Sequence, residues 1–278
     1  MRKLLIYAIT ALGILACTER NAPTNSNAKN GALPGTFTIN ESGRKIQFSQ
    51  GNLQYMGTWQ FAENQWNILG DSQSDNHRDL FGWGTGDTPN KVSTDENDYA
   101  TFTDWGVNEI SNGGNSANQW RTLTADEWHY LFLRRVNAAT SFGYGSINGV
   151  NGIILLPDNW TLPAGAVFTA STTQGLEKFD YHYQNRNGNP FTHNTYTKKQ
   201  WTVMESSGAV FLPAAGGRND HYSINRVTDV DSIGCYWSAT IDDYRACYFG
   251  FNSTFLSSYC IDNPNSWGLS VRLVKDVE

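Results

Sequence analysis

Hydrophobic and polar residues alternate in several short runs near the start of the chain, which is the pattern of strands that bury one face. Residues 35–39, 45–48, 51–55 and 58–61 follow this pattern. Turn-forming residues at positions 41–43 and 50–52 separate the first three runs. We therefore expect consecutive antiparallel strands joined by tight turns.

Apolar runs of two other kinds predict the later strands. Residues 152–156 and 209–212 are continuous apolar segments that each end before a proline, as expected of buried strands. Four further runs are rich in aromatic and β-branched residues and predict the remaining strands: residues 235–240, 245–251, 254–260 and 269–274.

A helical period first appears at residues 124–136. Thr124 and Glu127 have the spacing of a capping box, in which the hydroxyl and the carboxylate each satisfy a backbone amide at the helix start. Arg134 and Arg135 fall in the last predicted turn, where cations suit the helix dipole. Four apolar residues share one face of this helix: Trp128, Leu131, Phe132 and Val136.

A second helix is predicted at residues 198–205, with Thr197 as its N-cap. Two helices among many short strands indicate an α+β fold. We expect one domain over residues 34–278, because no linker rich in Pro, Gly or Ser interrupts this range.

Residues 71–104 predict a long irregular loop with residues 80–83 as its apolar anchor. Four aspartates in the loop are compatible with a structural calcium site: Asp71, Asp75, Asp79 and Asp87. A solvated, turn-rich loop is the interpretation that we adopt. We accordingly expect neither a bound metal nor another cofactor.

Composition and charge narrow the class of function. Aromatic residues make up 13% of the chain and charged residues 17%, so rings can build the core while the surface is largely neutral and polar. The net charge of −6 argues against a nucleic-acid partner, because phosphates require a basic surface.

The sequence contains no recognisable catalytic arrangement. The five histidines are scattered, and no Cys or His pair has the spacing of a zinc site. Cys235, Cys247 and Cys260 form an odd set, which allows at most one disulfide and one free thiol. We interpret them as incidental cysteines of a variable surface, and we expect no enzymatic activity.

The N-terminal residues have the pattern of an export signal. Arg2 and Lys3 precede an apolar run at residues 4–16 that is too short for a stable membrane span. Residues 15–17 resemble the lipobox of bacterial lipoproteins, which implies lipidation of Cys17. Residues 17–33 then predict a flexible tether. We expect an outer-membrane lipoprotein that a lipid anchor holds to the membrane, facing the cell surface or the periplasm.

Residues 206–274 have a biased composition. Lys, Glu, Gln and Met are absent from this stretch, although they account for 28 of the first 205 residues. Apart from Trp237 and Trp267, every residue in it belongs to the set encoded by codons that end in a pyrimidine. Random replacement of the adenines of AAC or AAT codons gives this set.

Several phrases together resemble the Fibrobacter succinogenes major paralogous domain, a family common in exported proteins of gut Bacteroidetes. They are FSQGNLQY, WQFAENQW, LFGWGTG, WRTLTADEW, LPDNW, VFLPAAGGR, CYWSAT and LSVRLV, in this order along nearly the whole mature chain. That family is related to the C-type lectin fold and to the variable proteins of diversity-generating retroelements.

The resemblance implies a C-type-lectin-like fold with two helices beside a small, twisted mixed sheet and long loops. It implies that the first and last strands lie together and that Trp237 and Trp267 belong to a rigid aromatic core. In the retroelement-diversified relatives, variable codons lie near the C-terminus. The corresponding region here is residues 218–268.

We expect a binding face in this region, because Tyr, Ser and Asn provide contact area at low entropic cost. Its candidate residues are Asn219, His221, Tyr222, Asn225, Tyr236, Asp242, Asp243, Tyr244, Tyr248, Asn252, Ser257 and Tyr259. The leading hypothesis is noncovalent binding of a protein or glycan ligand. The alternative is a structural or tip subunit of a fimbria-like surface assembly.

Overall fold

The computed structural model describes residues 28–70, 76–171, 188–218 and 226–277, with residues 259–262 described by their backbone only. In these ranges the chain is α+β, with small sheets and few helices. The α-helices are α1 (Ala125–His129) and α2 (Lys198–Ser206). Short 3-10 helices lie at Glu96–Tyr99, Trp105–Val107, Ala138–Thr140 and Pro190–Thr192.

The strands of the described residues are β1 (Phe37–Thr38), β2 (Lys45–Phe48), β3 (Leu53–Met56), β4 (Trp59–Phe61), β5 (His77–Arg78), β6 (Phe142–Ile147), β7 (Val150–Leu155), β8 (Thr195–Tyr196), β9 (Val210–Pro213), β10 (Gly217–Arg218), β11 (Val227–Thr228), β12 (Gly234–Asp242), β13 (Arg245–Phe251), β14 (Leu256–Asn263) and β15 (Val274–Val277). They form sheets with the orders β1-β2-β15, β4-β3-β5, β8-β6-β7-β9, β10-β11 and β12-β13-β14. The β6–β8 pair is parallel and the other pairs are antiparallel. The last strand lies in the same sheet as the first, since β15 pairs with β2 and β2 pairs with β1.

Both predicted helices begin where the sequence indicates. The Thr124 hydroxyl accepts from the Glu127 amide (3.2 Å), and the Glu127 carboxylate accepts from the Thr124 amide (2.9 Å). The Thr197 and Gln200 side chains form an equivalent capping box at α2. These contacts satisfy amides that have no partner inside the helix, so each helix has a defined first residue.

The end of the first helix differs from the prediction. After five residues α1 changes to a π-helical turn at Tyr130–Arg134, and the chain becomes extended at Arg135. Val136 therefore lies beyond the helix and is 82% exposed, so its predicted place on the apolar face is wrong. Arg135 turns inward, and its guanidinium donates to the carbonyls of Leu131 (2.7 Å) and Leu156 (2.7 Å).

Several strands depart from the sequence pattern, among them the two-residue strands β5, β8, β10 and β11, which were not predicted. The predicted strand at residues 269–274 is reduced to β-bridges at Leu269 and Ser270, and the regular strand β15 begins only at Val274. Strand β6 was not predicted, because its glycines interrupt the alternation. Gly145 is required there by close packing, since a Cβ at this position would lie 2.5 Å from the Asn194 carbonyl oxygen.

Aromatic rings fill the interior, as the composition predicts. Phe249 of β13 stacks on Trp128 of α1 and on Phe132 of the π-helical turn, with centroid distances of 5.1 and 4.6 Å. Trp237 of β12 is fully buried in a second cluster, where its indole nitrogen donates to the Phe81 carbonyl (2.6 Å). Burying rings of this size is a large apolar contribution to folding, and the hydrogen bond removes the cost of burying the indole N–H.

A buried arginine joins segments that are distant in sequence. The Arg272 side chain is 1% exposed and donates to the Gln65 amide oxygen (2.8 Å), the Asn52 amide oxygen (3.3 Å) and the Phe211 carbonyl (3.3 Å). The Gln65 amide nitrogen in turn donates to the Glu205 carboxylate at 2.9 Å. Burial lowers the pKa of Arg272 to about 10, which reflects the cost of taking this charge out of water.

We expect Arg272→Met to lower the free energy of unfolding by about 3 kcal/mol, because it removes the donor from several buried acceptors and a cation that interacts with the buried Glu205 carboxylate. Urea unfolding of both proteins measures the difference. The control is Arg44→Met, since the Arg44–Asp276 pair is exposed and should contribute less than about 1 kcal/mol. Equal loss in the two variants would contradict a central role for Arg272.

Candidate ligand-binding site

The hairpin of β12 and β13 ends in a two-residue loop. Asp242 pairs with Arg245, so the loop consists of Asp243 and Tyr244. Asp243 has a φ of 53°, a left-handed conformation that aspartate tolerates better than most residues. Such a loop fixes the register of the two strands and projects the Tyr244 side chain from their end.

A β-bulge separates the loop from the buried part of the hairpin. Trp237 pairs with Tyr248, but the next pair toward the loop is Ile241 with Ala246. The Ser238 hydroxyl donates to the Cys247 carbonyl (2.8 Å) inside the bulge. A bulge increases the local twist of the two strands, and residues 241–244 beyond it are exposed.

The hairpin tip, defined as residues 241–245, carries exposed hydrophobic surface. The side chain of Tyr244 is 73% exposed and that of Ile241 is 43% exposed. The Arg245 guanidinium lies 5.5 Å from the centre of the Tyr244 ring, a cation–π contact that helps to hold the ring in place. An exposed aromatic beside an exposed aliphatic residue is unfavourable in water and is typical of contact surfaces.

The hairpin tip borders a groove of about 790 Å³. Its lining residues are Thr94, Glu96, Asn97, Ala100, Ile241, Asp243, Tyr244, Arg245, Pro264 and Asn265. This volume lies in the range of about 300–1,000 Å³ that ligand sites occupy. One wall is the hairpin tip, and the other contains the 3-10 helix Glu96–Tyr99 and the segment after β14.

Hydrogen bonds hold the second wall in position. The Glu96 carboxylate accepts from the amides of Asn265 (2.7 Å) and Ser266 (3.3 Å) and from the Ser266 hydroxyl. The Asn265 side chain, 4% exposed, accepts from the Ala246 amide (2.8 Å) and donates to the Tyr99 carbonyl (3.4 Å). Burial also raises the pKa of Tyr99. The wall is therefore tied to both the hairpin and the loop, so the groove exists before any ligand binds.

The groove combines charged and apolar side chains. Its charged lining residues are Glu96, Asp243 and Arg245, which provide two carboxylates and one guanidinium. Within the described residues there is no group of three or more His, Cys, Asp or Glu side chains that could hold a metal ion. The Asp79 carboxylate of the acidic loop accepts from the backbone amides of Leu69 (2.6 Å) and Gly70 (3.2 Å), which is a structural use of that carboxylate.

Three of the predicted face residues lie at the hairpin tip. Asp242, Asp243 and Tyr244 are all exposed, and the last two line the groove. Four other predicted residues, Asn219, His221, Tyr222 and Asn225, lie outside the described residues. The side chain of Tyr259 also lies outside the described part.

Asn252 and Ser257 lie at the opposite end of the sheet from the hairpin tip. Strand β13 separates the two turns, and its seven residues span roughly 20 Å. The Asn252 side chain accepts from the amides of Thr254 (2.7 Å) and Phe255 (2.9 Å), as in an Asx turn. Ser257 is half-buried and pairs with Gly250. The expected single open patch with Tyr244 and Asn252 together is therefore wrong.

Tyr236 is a correction to the predicted face, because its side chain has no exposed surface. Its hydroxyl donates to the Pro213 carbonyl (2.7 Å) and accepts from the Asn52 side chain (3.3 Å), and burial raises the pKa of Tyr236. Tyr248 is 9% exposed and contacts the Trp237 ring edge-on. Both faces of this part of the sheet are buried, with Tyr236 in one core cluster and Tyr248 in the other, so alternation along the strands exposes neither residue.

The described cysteines are not incidental surface residues. Cys247 is disulfide-bonded and Cys235 is free, and both are buried. Burial, together with the nearby Asp229 carboxylate, raises the pKa of the Cys235 thiol to about 12. At neutral pH the Cys235 thiol is therefore protonated and a poor nucleophile.

Sequence reasoning missed the residues that complete the groove. Ile241 and Arg245 flank the predicted residues, and their roles follow from the two-residue loop. Glu96 and Asn265 are 169 positions apart. Neither carries a local signal, because only the folded loop brings the Glu96 carboxylate to the segment after β14.

Comparison of the chain with protein-family models, with curated proteins and with solved structures gives no match. Within the described residues, no helix combines the length and the apolar character that crossing a bilayer requires.

We expect Asn265→Ala to lower the free energy of unfolding by about 1–3 kcal/mol, because it leaves the buried Ala246 amide without an acceptor. The matched control is Asn97→Ala in the 3-10 helix of the same wall, where the exposed side chain should matter by less than about 0.5 kcal/mol. Urea denaturation measures both. If Asn265→Ala were as stable as Asn97→Ala, the wall would not depend on this contact.

Proposed function

We propose that this chain is a noncovalent ligand-binding protein and not an enzyme. Its recognition surface is the hairpin tip with the adjoining groove, and its ligand is a protein or a glycan. The observation that carries the proposal is the 73% exposure of Tyr244 beside the 43% exposure of Ile241 at the edge of a groove of about 790 Å³.

The physical basis is the low cost of binding at a preformed surface. Tyrosine offers a large amphipathic contact area with few rotatable bonds. The Arg245 contact restrains the ring, and the Glu96–Asn265 hydrogen bonds fix the opposite wall. A ligand that fills the groove would thus order few protein groups, and most of its contact energy would appear as affinity.

The wider assignment is also part of the proposal. We place the chain with the C-type-lectin-like proteins of the major paralogous domain family, as a lipid-anchored envelope protein. The α+β architecture and the β2–β15 pairing support this placement. The hairpin tip lies inside residues 218–268, so diversification of this region would alter the groove.

The test of binding is the double variant Ile241→Ser, Tyr244→Ala. We expect binding to the hits of a glycan-array and protein-pulldown screen to weaken at least about tenfold, because hot-spot aromatics contribute on this scale. Surface plasmon resonance gives the dissociation constants, and circular dichroism checks folding. The control is Val136→Ser, which changes a residue that is 82% exposed outside the groove.

Unchanged capture of every hit by the double variant would overturn the receptor assignment. If the variant instead failed to enter a surface assembly while capture persisted, the alternative of a structural or tip subunit would replace it.

Retroelement diversification of residues 218–268 makes a separate prediction about the gene. Among isolates, we expect codon differences at Asp242, Asp243 and Tyr244, which are exposed, and none at Tyr236 and Trp237, which are fully buried. The reason is that changes in a close-packed core destabilise the fold, whereas changes in an exposed loop do not. Sequencing the gene from several isolates measures this, and uniform codons throughout would contradict the proposal.

A further inference from the structure

A second cavity, of about 220 Å³, shares no lining residue with the groove at the hairpin tip. Its lining residues are Gly217, Thr228, Asp229, Ile233, Cys235, Tyr248, Phe255, Trp267 and Leu269. It is smaller than the sites of about 300–1,000 Å³ that hold drug-sized ligands, so it suits a single small group.

Three aromatic side chains dominate the walls of this cavity. Tyr248 is 9% exposed, while Phe255 and Trp267 are half-buried and still reach solvent. Ile233 and Leu269 add aliphatic surface. Aromatic faces carry negative electrostatic potential, so a cavity built from several rings favours a cation over a neutral group of the same shape.

The charge at this cavity is negative, which suits a cation. Among the described residues that line the cavity, Asp229 is the charged one, and none is Lys, Arg or His. Arg218 follows Gly217 in the chain, but its guanidinium is buried and donates to the Leu80 carbonyl (3.3 Å). The Asp229 carboxylate lies at the exposed rim of the cavity, where it accepts from the Thr228 hydroxyl (2.8 Å), and its negative charge contributes, after burial, to the raised pKa of the Cys235 thiol.

A tight turn holds Asp229 at the rim. Its φ is 60°, and its carbonyl accepts from the amides of Ser232 (3.1 Å) and Ile233 (3.0 Å). Gly216 packs against this turn so closely that a Cβ would lie 2.1 Å from the Thr228 carbonyl oxygen. The carboxylate is therefore presented by a constrained backbone.

We propose that this cavity binds a small alkylated ammonium group, such as a trimethylammonium. An unmodified ammonium carries three N–H donors, which the mostly apolar walls could not satisfy. A quaternary ammonium has no donor and an apolar outer surface, and it keeps the charge that the rings and Asp229 attract. This assignment does not depend on a ligand at the hairpin tip.

The first test compares choline with its neutral isostere 3,3-dimethylbutan-1-ol on the intact chain. Titration calorimetry and tryptophan fluorescence should show saturable binding of choline that is at least about tenfold tighter than that of the isostere. Equal affinity would show an apolar cavity without preference for charge. That result, or no saturable binding of either compound, would overturn the proposal.

The second test is Asp229→Asn, which should weaken choline binding about tenfold because it removes the carboxylate and keeps the shape. Asparagine also tolerates a positive φ. The matched control is Asp231→Asn, a change in the same turn at a φ of 65° and outside the lining, and it should leave binding unchanged. Equal binding by all three proteins would overturn the role of Asp229.

The source of the cation is distinguished by a third comparison. A short peptide with trimethyllysine, tested against the same peptide with lysine, represents a modified protein. Choline represents a free or lipid-borne headgroup. If the trimethyllysine peptide binds more tightly than choline, the source is a modified protein, and the reverse order assigns a free or lipid-borne headgroup. Tighter binding of the lysine peptide than of the trimethyllysine peptide would contradict the proposal.

Discussion

The fold depends on the burial of one charge. Arg272 occupies the interior, where its guanidinium holds the Asn52 loop, the Gln65 turn and strand β9 together. Burying a cation is costly unless acceptors meet its donors. The two terminal nitrogens of Arg272 find their acceptors in these three segments, which favours one arrangement of the segments. Because Arg272 lies just before β15, the same constraint places the end of the chain against β2. Segments far apart in sequence are thereby brought to one point.

The loop end of the β12–β13 hairpin is exposed, whereas the opposite end is part of this fixed interior. Near Arg272, the rings of Tyr236, Phe249 and Phe251 pack face to face or tilted, and the strands carry no exposed aromatic. At the loop end of the hairpin Tyr244 projects into solvent, although Ala246 next to the tip is still fully buried. The core determines where the loop lies, whereas the loop residues determine what it contacts. Under the proposed function, selection on packing and selection on recognition would act on different parts of one hairpin.

Local signals in the sequence predicted local structure well. Thr124 with Glu127 and the run that became β13 specify their own conformation through hydrogen bonds and alternation between near neighbours. The candidate site required more. Tyr236 resembles a surface residue by type, but pairing across the sheet buries it. The contact of Glu96 with Asn265 is set by tertiary folding, and the separation of Tyr244 from Asn252 follows from the hairpin direction. Composition cannot encode either of these.

The contrast between buried strands and an exposed loop gives a physical reason for the biased composition of residues 206–274. The missing Lys, Glu, Gln and Met are long, flexible side chains that lose the most entropy when a contact orders them. A surface built from Tyr, Asn, Asp and Ser loses less, so each contact retains more of its energy. The same restricted set of residue types includes the Tyr and Phe of the core strands, because the bias does not exclude large apolar residues. One restricted set of residue types thus serves both the rigid interior and the exposed loops, and position in the hairpin decides which role each residue takes.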